Sequence, residues 1–276
     1  MADPHDAAYK LLFSHPEMVA DLLRGYLAPE WIGELDLARL ESVAETHLSD
    51  DLRERRNDCI WRVPWRDPGN DTSVWLYVYL LLEFQSRPDP SMPVRMLTYL
   101  GLLYQDLLRA GEADARALPP VLPVVLYNGT RRWSVPVQFA ELIPDFPAAL
   151  APCIPRLQYL FLDEGRMATS AGWEERNLAA AVFRIEQNAT PDGIQAVAEA
   201  LDAWLDRDEQ APLRRALETW LVQSVLPARL PAVSLPDTVE LGEVRAMLGE
   251  RLRLWGEEQR AEGEAKGLAE GEAKGL

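Results

Sequence analysis

Histidine and cysteine are scarce in this chain of 276 residues. There are three of the first, His5, His15 and His47, and two of the second, Cys59 and Cys153. The histidines fall in neither HExxH nor HxxxH spacing, and the cysteines are far apart with no CxxC pair. Those absences exclude the common zinc-hydrolase signatures, a structural zinc site and a disulfide scaffold. No Walker loop, GxGxxG or GxSxG occurs, so any metal chemistry must lean on carboxylates. Long apolar runs are missing as well. The longest, Val74 to Leu82, is far short of the roughly 20 residues of a membrane-spanning helix. The first residues, Met-Ala-Asp-Pro-His-Asp, carry acids where a secretory signal has a basic region, so the expectation is a cytoplasmic protein with no membrane crossing. Basic charge is in deficit, 28 bases against 44 acids for a net −16. A partner with a phosphate backbone favours the opposite sign, so DNA binding would need a local basic groove on an acidic body.

What is present is the composition of a globular domain, 48% hydrophobic and 26% charged. Asp3 and Pro4 open a helical pattern that breaks at Pro16, and a second runs to about Leu27. Strand character gathers around Leu40 to Val43. Asp58 to Trp65 reads as a strand closed by the turn cluster Asp67-Pro68-Gly69-Asn70-Asp71, and Val74 to Gln85 as a central strand covered on both faces. Ser91 is placed to cap a helix reaching about Arg109. Val121 to Tyr127 and Gln158 to Asp163 are further strands. Helical segments follow near 174–188, 193–205, 212–225 and 238–258. Strands first and helices later predict an α+β core over 1–165 and a helical region over 166–256. The last sixteen residues duplicate AEGEAKGL. A glycine at every fourth position suits a tail over 257–276 better than an autonomous helix.

The chemistry is suggested by strand pairing. Folding 58–65 against 74–85 about a turn between Asn70 and Asp71 sets Asp58 directly opposite Glu83, where two carboxylates need a cation between them, with a slack of a residue or two because Pro64 and the turn can introduce a bulge. Gln85 falls on the same face. Glu83 also follows nine apolar residues, and a buried carboxylate pairs, neutralises or binds metal. The bland alternative stands beside this: Glu83 marks where the strand emerges into solvent, and Asp58 merely begins one. Trp61, Trp65 and Trp75 read as hairpin packing, and Cys59 as a small buried hydrophobe.

The runs HDAAYKLLFSHPEMVADLLRGYL, DLRERRNDCIWRV, YVYLLLEFQSRPDPSMPVRMLTY and LPPVLPVVLYNG, in that order, resemble the recombination-promoting nuclease family, which is often described as transposase-like. The resemblance spans residues 4 to 165, and the GEAKG tail is similar too. It implies a restriction-endonuclease-like PD-(D/E)XK core, with a mixed central sheet flanked by helices. The implied activity is divalent-metal-dependent endonuclease hydrolysis of DNA phosphodiesters, linked to recombination. Position by position, Asp58 and Glu83 would be metal ligands, helped by the Phe84 carbonyl. Gln85 stands where the wider superfamily has lysine; glutamine orients a water but cannot act as a general base. Oxygen ligands select a hard ion, magnesium, with manganese as substitute. Asp6 would be an accessory acid, or else a solvated acid at a helix N-terminus. Arg95 and Tyr99 match an Arg and Tyr spacing of the family, Arg95 contacting a phosphate or pairing with a nearby acid. Arg53, Arg55 and Arg56, with Arg62, Arg66 and Arg87, would line the groove, or form an ordinary solvated face. The rival readings are a non-catalytic nuclease-fold module that binds nucleic acid or protein, and a helical interaction protein; the helical region also offers a homodimer surface.

Overall fold

The structure is a computed structural model that describes residues 4–27, 29–43, 58–66, 73–83, 88–129, 131–167, 176–187 and 191–225. At positions 4–6, 29, 58, 73, 82, 83, 167, 191 and 192 it describes the backbone alone. Two compact units divide the chain, Met1–Phe183 and Arg184–Leu276.

In the first unit prolines open three early helices, at positions where their missing N–H costs nothing. These are α1 (Pro4–Leu12), α2 (Pro16–Tyr26) and the single turn α3 (Pro29–Ile32). The strands are β1 (Glu41–Ser42), β2 (Asp58–Arg66), β3 (Ser73–Glu83), β4 (Val121–Tyr127) and β5 (Leu160–Asp163), with α4 (Met92–Ala110) between β3 and β4. They make one mixed sheet in the order β1-β2-β3-β4-β5. β1, β2 and β3 pair antiparallel, and β3, β4 and β5 pair parallel. The result is the α+β core that the order of patterns predicts, with the mixed sheet and flanking helices that the resemblance implies.

Pleating sorts the side chains of each strand onto two faces. Ile60, Tyr77, Tyr79, Leu81 and Val125 share a buried cluster with Met92, Met96, Tyr99, Leu103 and Leu107 of α4. The intervening residues Trp61, Val63, Val78, Leu80, Val124 and Leu126 are also buried, and on this side the Trp61 indole N–H donates to the Phe13 carbonyl just past α1 at 3.2 Å. Trp61 therefore packs in the core, as its place on the hairpin suggests.

The pairing of β2 with β3 corrects one expectation. Asp58 pairs with Leu81 and Arg66 with Ser73, so the register slides by two residues from the one that sets Asp58 opposite Glu83. The expected turn centre was one residue too late; the turn segment 67–72 lies outside the described residues. A slide of two preserves the face, whereas a slide of one would have reversed it. Ser91 likewise does not cap α4 with its side chain. Its hydroxyl bonds Asp89 instead, and Pro93 at the second helical position has no N–H to offer it.

The N-terminus of α6 (Leu178–Gln187), which follows the short helix α5 (Glu164–Met167), is held from far away in sequence. The Asn177 side chain accepts from the Ala180 N–H at 2.8 Å and donates to the Asp21 carbonyl at 2.7 Å, and the Asp21 carboxylate accepts from the Leu178 N–H at 2.8 Å. Burial pushes the Asp21 carboxyl above its ordinary pKa despite these bonds and the Arg24 partner. In the second unit α7 (Pro191–Trp204) and α8 (Ala211–Trp220) bury Leu201, Leu205, Leu213, Leu217 and Trp220. The Trp220 indole donates to Glu186 at 3.2 Å. The helical segment expected near 238–258 and the duplicated tail lie outside the described residues. Among the described residues no helix is long and apolar enough to cross a membrane.

Two glycines of α4 and its cap predict opposite outcomes. Gly101 is exposed with nothing within 4 Å of an added Cβ, whereas Gly111 terminates the helix at φ 72°. Gly101→Ala should raise unfolding free energy by about 0.5–1 kcal/mol, and Gly111→Ala should lower it by about 1 kcal/mol. Urea denaturation midpoints check both, and equal signs would contradict the reading of the cap.

Candidate functional site

The β3-α4-β4 crossover defines one end of the sheet. Parallel strands joined by a helix place their C-terminal ends, and the helix N-terminus, at one edge, where open α/β sheets take ligands. Glu83 is the last residue of β3, and because β2 runs antiparallel, its first residue, Asp58, lies at the same edge. With Asp58 paired to Leu81, Glu83 is its diagonal neighbour on the same face. Diagonal positions are roughly 7–8 Å apart at the backbone, within reach of long side chains. That face is the one covered by α4.

Glu83 pairs with Tyr127, and Tyr127 with Asp163, so one row crosses three parallel strand ends. The Tyr127 ring meets Trp133 edge-on at 4.9 Å, and its hydroxyl donates to the Arg131 carbonyl at 2.9 Å. Gly129 allows this fold-back, since a Cβ there would collide with the Tyr127 hydroxyl. Asp163 sits 3.6 Å from the Arg166 guanidinium.

Arg95 and Tyr99, one turn apart on α4, are brought together at this edge. Arg95 Nε donates to the Tyr99 hydroxyl at 3.0 Å, and Tyr99, 3% exposed, packs its ring 5.7 Å from that of Tyr79 on β3. Of the two roles expected for Arg95, pairing with an acid is realised: Arg95 Nη1 meets Asp89 Oδ2 at 2.8 Å. Asp89 is the residue that sequence reasoning missed. Its Oδ1 accepts from the Ser91 N–H at 2.8 Å and from the Ser91 hydroxyl at 2.6 Å. The readable signal was Asp-Pro-Ser ahead of a helix, a local Asx turn. Partial burial pushes the Asp89 carboxyl up, but the Ser91 and Arg95 hydrogen bonds outweigh it and hold the group below the usual carboxylate range.

The remaining expected residues divide in two. Asp6 lies on α1, one turn before Tyr9, whose hydroxyl donates to the fully buried Glu164 at 3.0 Å just past β5. The first turns of α1 are thus tied to the same edge of the sheet. Phe84, Gln85, Arg53, Arg55, Arg56 and Arg87 lie outside the described residues. Arg62 is not a groove cation. It bonds Glu41 at 3.0 Å and Glu112 at 3.1 Å, and its guanidinium lies 4.7 Å over Trp75, roughly 13 Å along β2 from Asp58 at about 3.3 Å per residue. Among the described residues there is no cluster of three or more His, Cys, Asp or Glu side chains able to hold a metal. The register brings positions 58 and 83 to one face, and carboxylate oxygens are the kind of donor that suits a hard cation.

Comparison with known proteins adds a family. The family described as "Putative transposase, YhgA-like" matches residues 3–214. The chain is 32% identical over 127 residues to the recombination-promoting nuclease RpnA of Escherichia coli (strain K12). It is 33% identical over 137 residues to RpnD of Escherichia coli O157:H7. These alignments take in 46% and 48% of this chain but 40% and 49% of the relatives, so the chain spans under half the length of these two curated proteins. A third relative, named "Putative inactive recombination-promoting nuclease-like protein YjiP", of Escherichia coli (strain K12), is 32% identical over 97 residues, 35% of this chain and 87% of that protein. No solved structure matches the chain.

The Asp89 carboxylate gives a pH-dependent prediction. Its folded pKa lies below the unfolded one, so the unfolded state binds more protons and stability rises with pH. The contribution is complete above the unfolded value near about 3.9 and is lost as pH falls through the lower folded value. Asp89→Asn should cost about 1 kcal/mol at neutral pH, with the gap from wild type closing in acid. Urea melts taken from neutral pH downward check this; a gap that widens in acid would contradict it.

Proposed function

The chain belongs to the YhgA-like transposase family, and from that premise we propose that it is a divalent-metal-dependent DNA endonuclease, built on a PD-(D/E)XK core and acting in recombination. The observation that carries the reading is the β2/β3 register, which brings positions 58 and 83 to one face at the edge where the parallel strands end. The names of RpnA and RpnD support nuclease chemistry.

Asp58, Glu83 and the Phe84 carbonyl would hold magnesium, or manganese in its place. Such an ion lowers the pKa of bound water and neutralises charge that develops on phosphoryl oxygens. Gln85, neutral at every pH, orients the attacking water by hydrogen bonding and takes no proton from it. Arg95 presents its guanidinium to a phosphate oxygen from the first turn of α4, where the helix dipole also favours an anion. Asp6 would be the accessory acid, carried by α1 on the side of the sheet opposite α4. On a body of net charge −16, affinity for DNA rests on these few cations, so binding should be weak and salt-sensitive.

The test is plasmid cleavage in magnesium by wild type, Asp58→Ala and Glu83→Ala. Each variant should lose about a hundredfold in rate, the scale on which a single electrostatic stabiliser acts, and chelation should abolish cleavage. Gln85→Ala should slow the reaction without abolishing it. Equal nicking by wild type and both alanine variants would mean a contaminant and would remove the nuclease reading.

A further inference from the structure

We propose that Arg131 and Arg132 are a pair of phosphate contacts that seat the backbone of duplex DNA beside position 83, a proposal that rests on the nuclease reading for its substrate class. The two residues follow β4 closely, and the backbone around them is tied to the row that crosses the parallel strand ends. Tyr127, paired with Glu83 in the ladder, donates its hydroxyl to the Arg131 carbonyl at 2.9 Å. On the other side of the pair, the Trp133 ring meets Tyr127 edge-on at 4.9 Å and stacks on Phe161 of β5 at 4.7 Å. Trp133 and Phe161 pack against the cluster that α4 shares with the sheet. Both anchors of the arginine pair therefore lie on the face to which position 83 belongs.

Exposure and charge indicate what the pair holds. Both side chains are exposed, and among the described residues neither is in an ion pair. Other arginines of this unit are neutralised: Arg62 meets Glu41 and Glu112, Arg95 meets Asp89, and Arg166 meets Asp163. On a chain with 44 acids against 28 bases, two adjacent guanidinium groups without a carboxylate are a local reversal of sign. Each offers a planar fork that matches a phosphate in bidentate fashion. Because Tyr127 and Trp133 fix the backbone beforehand, a phosphate that binds here orders two side chains and no loop. Phosphate contacts set where a duplex lies and carry no base information, so the pair registers the DNA backbone on the strand-end acids without sequence preference.

Fluorescence anisotropy of a short labelled DNA duplex across a salt series without divalent cation, and plasmid cleavage in magnesium, test this on the full chain. The variants are Arg131→Ala/Arg132→Ala, Arg131→Lys/Arg132→Lys and, as a control, Arg116→Ala, with folding followed by urea melts. Arg116 is exposed and precedes β4, towards the opposite end of the sheet. Each phosphate contact contributes about 0.9 to the slope of log K against log salt, so the alanine pair should flatten that slope by roughly 2 and weaken binding about ten- to a hundredfold. The plasmid KM should rise by a similar factor, more than kcat falls. The lysine pair keeps both charges and should keep most of the slope, and Arg116→Ala should match wild type. Wild-type slope and KM in the alanine pair, an equal loss in Arg116→Ala, or a lysine pair with the alanine pair's slope would overturn the proposal and leave the nuclease standing. DNA binding that the alanine pair weakens, with no cleavage by wild type, would remove the nuclease and keep the arginines as DNA contacts. A wild type that neither binds nor cuts would remove both.

Discussion

Antiparallel pairing of β2 with β3 decides which residues share a face, and the candidate site inherits that decision before any side chain is considered. A strand repeats every two residues, so the hydrophobic set Ile60, Tyr79 and Leu81 on the α4 side and Trp61, Val78 and Leu80 on the other permit only even displacements. Because both sets are buried, an odd displacement would exchange them between two faces packed for the other set, and such misfit costs roughly 1–3 kcal/mol per site. The core therefore protects the co-facial placement of Asp58 and Glu83, although neither residue belongs to it.

Electrostatics at this edge follow from the same economy. The two strand-end acids fall on the face covered by α4, whose first turn carries a cation already tied to its own acid. A carboxylate-rich edge on a chain of net −16 would repel both DNA and a neighbouring acid if left alone. Pairing with Asp89 holds the arginine on α4. Arg62 serves a different end. Engaged by Glu41, Glu112 and the Trp75 ring, it ties the α4 C-terminal loop to the sheet.

What the sequence revealed was whatever periodicity and local turns encode. β4 over Val121–Tyr127 and the helix before Gly111 fall where their patterns predict, and the nine apolar residues before Glu83 correctly mark a buried strand. The two-residue error in register arose because nothing in Asp67 to Asp71 says which pair closes the turn. Glu164 was invisible because its partner Tyr9 is 155 positions away, and the bonds from Asn177 and Leu178 to Asp21 span a similar gap. Asp89 is different. Its partners lie within six residues, and attention to capping by Ser91 hid a carboxylate that claims that hydroxyl for itself.

The unequal reach of the sheet's pairings bears on assembly. β2 and β3 are separated by six residues, so their ladder closes a small loop and can form in roughly 1–10 μs, as hairpins do. β4 reaches β3 only once α4 has wound between them, and β5 reaches β4 across the 32 residues from 128 to 159. Long-range parallel pairing is slow because the closure entropy is lost before any contact rewards it. The hairpin bearing Asp58 and Glu83 is thus formed early in folding, and the strands that flank it on the β4 side dock later onto an edge that must wait, open, for its neighbours.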